Sequence, residues 1–174
     1  LKSNASGTGS IGRITGTLSG ATNVAVERFI PANLSRAWRL LSVPTKSVTQ
    51  TIRQAWQELV DAAAGNTNLN SGYGTLITTP LANPTINGFD AASVSNSLLT
   101  YTGSAWVGAT TTNTLIETKG GYFLYVRGDR TQGVSGSLTD VTSTTLRTTG
   151  ELYQGNVSTD VPANSFAVVG NIYP

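Results

Sequence analysis

The run Tyr122-Phe123-Leu124-Tyr125-Val126, closed off by Gly120-Gly121 before it and Gly128-Asp129 after it, constrains the fold most tightly. Aromatic, aliphatic and β-branched residues between glycine-rich breaks predict a strand. The same grammar recurs along the chain. Val24-Ala25-Val26-Glu27-Arg28-Phe29-Ile30 alternates before Pro31, and Ala37-Trp38-Arg39-Leu40-Leu41-Ser42-Val43 ends at Pro44. Leu98 to Tyr101 and Ala105 to Gly108 flank Thr102-Gly103-Ser104 and read as a hairpin that sets Tyr101 against Trp106. Thr144 to Leu152 and Ser165 to Gly170 give two more extended stretches, and Ile11 to Leu18 gives a weaker one broken by Gly12 and Gly16.

A single helical face interrupts this pattern. Ile52, Ala55, Trp56, Leu59, Val60 and Ala63 recur at helical spacing, predicting one short amphipathic helix over about 48–64 with Trp56 in the core. Ser47 and Gln50 read as its capping box and Gly65 as its stop. Residues 66 to 96 are rich in Asn, Gly, Thr and Pro, which predicts long loops. Many short strands, glycine turns and one helix predict a mainly β fold of the β-sandwich or jelly-roll kind, with residues 1–174 as a single domain.

Alternation also assigns faces. Trp38 and Arg39 are neighbours on one strand and point oppositely, so Trp38 is expected in the core and Arg39 outside, paired with Glu27.

Composition bounds the chemistry. Only 11% of residues are charged against 39% hydrophobic, so the surface is polar but mostly uncharged. The net charge of +2 comes from 11 basic and 9 acidic residues with no basic run, and nucleic acid is not expected as a partner. The chain has no His and no Cys, which removes the usual general base, any Ser-His-acid triad and zinc sites built from those residues. The carboxylates are scattered, and no dense Asp-rich loop marks a calcium site. Gly7-Thr8-Gly9-Ser10-Ile11-Gly12 spells a dinucleotide-type glycine pattern but is followed by alternation in place of a helix. No enzyme activity, metal or cofactor is expected. No apolar run reaches the roughly 18 residues of a membrane span. The start at Leu1 and the absence of any Met lead us to expect a piece of a longer polypeptide.

Several phrases, in order, resemble large secreted proteins of Bacteroidetes. Val26-Glu27-Arg28-Phe29-Ile30-Pro31-Ala32 and Arg36-Ala37-Trp38-Arg39-Leu40-Leu41-Ser42-Val43-Pro44 are similar to a "V-E-R-Y-I-P-A … R-A-W-R-L-L-S-A-P" signature. Gly74 to Thr78, Asn87-Gly88-Phe89-Asp90, Lys119 to Arg130, Thr145 to Leu152 and Val169 to Pro174 resemble later phrases, with Ile172 standing where the family has Pro. The resemblance implies a module of a cell-surface or secreted bacterial protein, exported by type IX secretion, in an adhesive or structural setting. Neighbouring domains of the same polypeptide or identical subunits are the expected partners, and a filament built by β-strand addition at an exposed sheet edge stays open.

Two further readings concern binding. Arg127-Gly128-Asp129 spells an adhesion tripeptide, but glycine for the turn and Asp129 for local amides make a structural strand end the expected reading, with the two arginines, Arg127 and Arg130, pairing to acids. The alternative function is a carbohydrate-binding module for cell-surface glycans, in which Tyr73, Tyr101, Trp106 and Tyr125 would stack on sugar faces; the competing reading of each is a packed cross-strand ring.

Overall fold

Alternating segments pair into antiparallel sheets wherever their apolar faces find a common core. The computed structural model describes residues 1–12, 14–32, 35–58, 71–116, 120–132, 141–161 and 163–174. Its strands are β1 (Ser3–Asn4), β2 (Gly7–Thr8), β3 (Val24–Ile30), β4 (Ala37–Ser42), β5 (Thr45–Lys46), β6 (Leu98–Tyr101), β7 (Trp106–Gly108), β8 (Gly121–Val126) and β9 (Thr144–Leu152). Between β5 and β6 lie the helix α1 (Ile52–Trp56) and a 3-10 turn at Pro84–Asn87. One sheet runs β3-β9-β5, a second runs β4-β8-β6-β7, and β1-β2 form a small hairpin; all these pairings are antiparallel. The fold is mainly β and sandwich-like. Val43, fully buried, turns the corner at which the chain leaves the second sheet with β4 and joins the first with β5.

The core lies between the sheets. Tyr122, Leu124 and Val126 from the inward face of β8 meet Ile30 of β3 and Leu146 of β9, and Ile52, Ala55 and Trp56 of α1 join the same cluster. Trp56 meets Tyr122 edge to face at 5.1 Å. Each fully buried side chain of this size contributes about 1.5–3 kcal/mol from water exclusion.

A charged group sits inside as well. The Arg130 guanidinium donates to both oxygens of Asp90 at 2.8 and 3.2 Å, with both side chains almost fully buried. Asp90 Oδ2 also accepts from Gln57 Nε2 at 2.9 Å and from the Ile77 amide at 2.8 Å. One carboxylate thereby ties the end of α1, the 71–79 segment and the turn after β8 together.

Several expectations are corrected. The helix begins at Ile52, and its cap is Thr51, whose Oγ accepts from the Gln54 amide while Gln54 Oε1 accepts from the Thr51 amide. Ser47 only closes a local turn onto the Gln50 amide, because the Gln50 side chain is held by the Thr149 amide of β9 at 2.8 Å. Leu59, Val60, Ala63 and Gly65 lie outside the described residues. Ile11 to Leu18 forms no strand among its described residues, and Ser165 to Gly170 contributes a single bridge, Val169 to Gly120. Glycine breaks in the first segment and the exposure of Phe166 and Val169 in the second leave neither with a face to bury.

Trp38 is also corrected. It is 38% exposed on the outer face of the second sheet, while Arg39 occupies the inward-facing register of β4 opposite the buried Leu124. Glu27 does not pair with Arg39. It takes Lys2 Nζ at 2.8 Å and the Ser3 amide at 3.2 Å, because β3 pairs with β9 and not with β4. Burial works against the ionised Glu27, and these two donors outweigh it and hold its carboxyl below the ordinary range.

Two tryptophans should therefore behave differently on truncation. Trp56→Ala is expected to lose about 3–5 kcal/mol in urea unfolding, whereas Trp38→Ala should lose no more than about 2 kcal/mol, the scale of its ring contacts. Equal losses would place Trp38 back in the core.

Candidate functional site

The outward positions of β8 are Phe123 and Tyr125, since Tyr122, Leu124 and Val126 are committed to the core. Register then decides their neighbours. Leu40 and Trp38 of β4 lie opposite Phe123 and Tyr125, Leu99 of β6 flanks Phe123, and Tyr101 of β6 lies opposite Trp106 of β7. The outer face of the four-stranded sheet thus carries a continuous aromatic band. Ring centroids follow at 5.5 Å for Tyr125 to Trp38, 4.8 Å for Trp38 to Phe123, 5.4 Å for Phe123 to Trp106 and 5.4 Å for Trp106 to Tyr101. Leu40, 66% exposed, extends the band.

The rings lean on one another, with interplanar angles of 29° for Trp38 and Phe123 and 58° for Tyr101 and Trp106. They do not lie side by side as coplanar plates. Each such pair contributes about 0.5–1.5 kcal/mol beyond area burial, so the band is held in place. Of the four tyrosine and tryptophan positions singled out from the sequence, Tyr101, Trp106 and Tyr125 come together here, and Trp38 and Phe123 complete the set. Tyr73 does not belong to it. It bridges Thr145 of β9, and the Arg147 guanidinium lies 4.5 Å from its ring centroid while making two 2.8 Å bonds to Glu58.

The Arg127-Gly128-Asp129 tripeptide lies inside the protein. Arg127 is 6% exposed and Asp129 3%. Asp129 accepts from the Gly72 amide at 2.6 Å, from Thr131 Oγ1 at 2.6 Å and amide at 3.0 Å, and from Thr142 Oγ1 at 3.0 Å. Burial raises the carboxyl, but those donors overcome it and hold its pKa below the ordinary value. Gly128 has φ of +111°, and a Cβ there would come within 2.8 Å of Thr142 Oγ1, so only glycine fits. Contrary to the sequence expectation, Arg127 pairs with no acid among the described residues; its guanidinium donates to Leu76 O and Thr78 Oγ1 at 3.4 Å and lies 4.9 Å from the Tyr125 ring centroid. Desolvation lowers its pKa from the usual value. A receptor has no route to this tripeptide while the fold is intact.

Where the band reaches the edge of the sheet it borders a groove of about 340 Å³ between β3 and β4, with Arg28, Arg39 and Trp38 in its walls. A larger cavity of about 520 Å³ between the 11–15 and 152–156 segments and the chain's last residues carries no charged side chain among its described lining. Among the described residues, no group of three or more His, Cys, Asp or Glu is placed to hold a metal ion, and no helix is long and apolar enough to cross a membrane. Compared with protein-family models, curated proteins and solved structures, the chain matches none of them.

Asp129 generates a pH-dependent expectation. Its folded pKa lies below the unfolded one, so its contribution is full above the unfolded value and is lost as pH falls through the folded value. Asp129→Ala should lower the melting temperature near neutral pH, and the gap to the natural protein should narrow as pH falls from about 5 toward 2. A gap that stays constant over that range would mean that the ionised carboxylate contributes nothing.

Proposed function

We propose that this chain is a non-enzymatic, extracellular structural or adhesive module of a bacterial cell-surface or secreted protein, working by contact through the outer face of its four-stranded sheet. The observation that carries this reading is the aromatic band of Trp38, Phe123, Tyr125, Tyr101 and Trp106 with Leu40 beside it. A contiguous apolar patch on a polar surface marks an interaction site. The buried carboxylates Glu27, Glu58, Asp90 and Asp129 support it in a second way: each is engaged by structural donors, which leaves none of them free to face another as an acid and base pair.

The partner is an adjoining domain of the same polypeptide, in keeping with the resemblance to large multidomain secreted proteins. The rings stack or tilt on one another, at 29° for Trp38 with Phe123 and 58° for Tyr101 with Trp106, and so present several orientations in place of one flat platform, a surface suited to another protein's apolar side chains more than to the flat face of a sugar. Neutral glycans are for that reason the weaker ligand for this face.

Acrylamide quenching tests the assignment in a Trp106→Phe background, where Trp56 is buried and Trp38 reports. Trp38 should be quenched readily in the isolated 174 residues and protected in a longer polypeptide that includes the adjoining domains. Protection that appears in the isolated chain as its concentration rises would identify a second copy as the occupant. Quenching that is equal in both polypeptides at all concentrations would remove the contact function from this face.

A further inference from the structure

We propose that the groove between β3 and β4 binds an acidic polysaccharide segment, with Arg28 and Arg39 gripping uronate carboxylates and Trp38 backing a sugar ring. This site is separate from the protein contact assigned to the aromatic band, although Trp38 and Leu40 border both.

On β3, Val26, Arg28 and Ile30 share the face opposite Thr148, Leu146 and Thr144 of β9, and all of these except Arg28 are buried. On β4, Arg39 shares its face with Ala37 and Leu41 and lies opposite the buried Leu124. Both arginines therefore occupy positions that point toward the space between the sheets, at the edge strand of each sheet. Apolar residues are expected there. A charge in each place keeps the two edges from closing on each other and lines the resulting groove of about 340 Å³ with guanidinium groups. That volume lies within the about 300–1,000 Å³ of small-molecule sites.

The described lining of the groove holds no carboxylate to balance its arginines. Neither arginine takes part in an ion pair among the described residues. Arg39 Nη2 makes one contact, to Ser35 O at 3.5 Å, at the limit of a hydrogen bond. Its Nε is buried with no hydrogen-bond partner, so the guanidinium is held half-buried with donors unused. A planar fork in that state matches a carboxylate, which it can take with two parallel bonds.

The remaining wall selects among anions. Trp38, Leu40, Phe29 and Pro31 give the groove an apolar side, which suits the C–H face of a pyranose ring. Two cations without a basic cluster do not suffice for a nucleic-acid backbone. A second copy pairing along the β4 edge would bring arginine against arginine, since inward-pointing charge guards an edge against strand addition. An acidic peptide supplies carboxylates but lacks the ring face that Trp38 would back, and it serves as the discriminating control.

Isothermal titration of the full chain with oligogalacturonate, its neutral oligogalactose counterpart and poly-glutamate tests the proposal. Oligogalacturonate should bind, more weakly as salt rises, and the other two should bind at least about tenfold more weakly. Arg39→Gln and Arg28→Gln should each weaken binding about tenfold, the scale of a charge-assisted hydrogen bond. Lys46→Gln on β5 should leave it unchanged. Arg28 is exposed, so its variant keeps the test open if Arg39→Gln fails to fold. Equal binding of poly-glutamate, equal binding of the neutral oligomer, no binding of oligogalacturonate, or unchanged affinity in Arg28→Gln would each overturn the assignment. Loss of the Trp38 protection described above, with oligogalacturonate binding retained, would remove the protein contact and leave this site standing.

Discussion

The ion pair between Arg130 and Asp90 organises everything on one end of the sandwich. Both charges are removed from water, and the Asp90 carboxylate is satisfied only while three separate stretches stay in place: the end of α1 through Gln57, the 71–79 segment through the Ile77 amide, and the turn after β8 through Arg130. Removing one member of such a pair leaves the other buried and uncompensated, at a cost of about 3–5 kcal/mol. The pair is therefore weak as a source of net stability and strong as a constraint on arrangement. It explains how residues 71–79 pack against the core with no more regular structure than the bridge of Tyr73 to Thr145. The run's backbone groups find partners in Asp90, Ser97 and Thr78 where a ladder would otherwise supply them.

Arg127 and Asp129 belong to the same region, and their burial changes what the tripeptide between them means. Its residues look like a recognition signal when written in one line. In space Asp129 is occupied by four donors and Gly128 by the approach of Thr142. Charge in this chain is spent inward at that end, and the surface that remains for contact is apolar on the four-stranded sheet and basic along the groove at its edge. Those two surfaces meet at Trp38, whose side chain is neither a core anchor nor an isolated surface residue.

Much of the architecture was legible before any coordinates. Val24–Ile30, Ala37–Ser42, Leu98–Tyr101, Gly121–Val126 and Thr144–Leu152 appear as strands where alternation and turn residues put them, and Tyr101 faces Trp106 across the hairpin. Trp56 is buried on α1. These features depend on neighbours in sequence, and local patterning reports them directly. The helix start slipped because Ser-x-x-Gln and Thr-x-x-Gln stand four residues apart, and only the recruitment of Gln50 by β9 decides between them. The candidate site was half legible. Tyr101, Trp106 and Tyr125 were visible as aromatic residues on strands, while Trp38 was assigned to the wrong face.

That error marks the boundary between the two kinds of information. On Ala37-Trp38-Arg39-Leu40-Leu41 both faces carry apolar side chains, so period-two alternation is satisfied by either choice. The sequence by itself determined that this is a strand of a mainly β fold that also holds a short helix, in a chain with no histidine and no cysteine. Only the tertiary structure decided which face of β4 looks inward, because pairing with β8 sets Arg39 opposite Leu124 and Trp38 opposite Tyr125. The sheet partners of β3 and β9 likewise decided where Glu27 finds its cation, since an ion pair forms between groups that the fold brings within about 4 Å, whatever their separation along the chain.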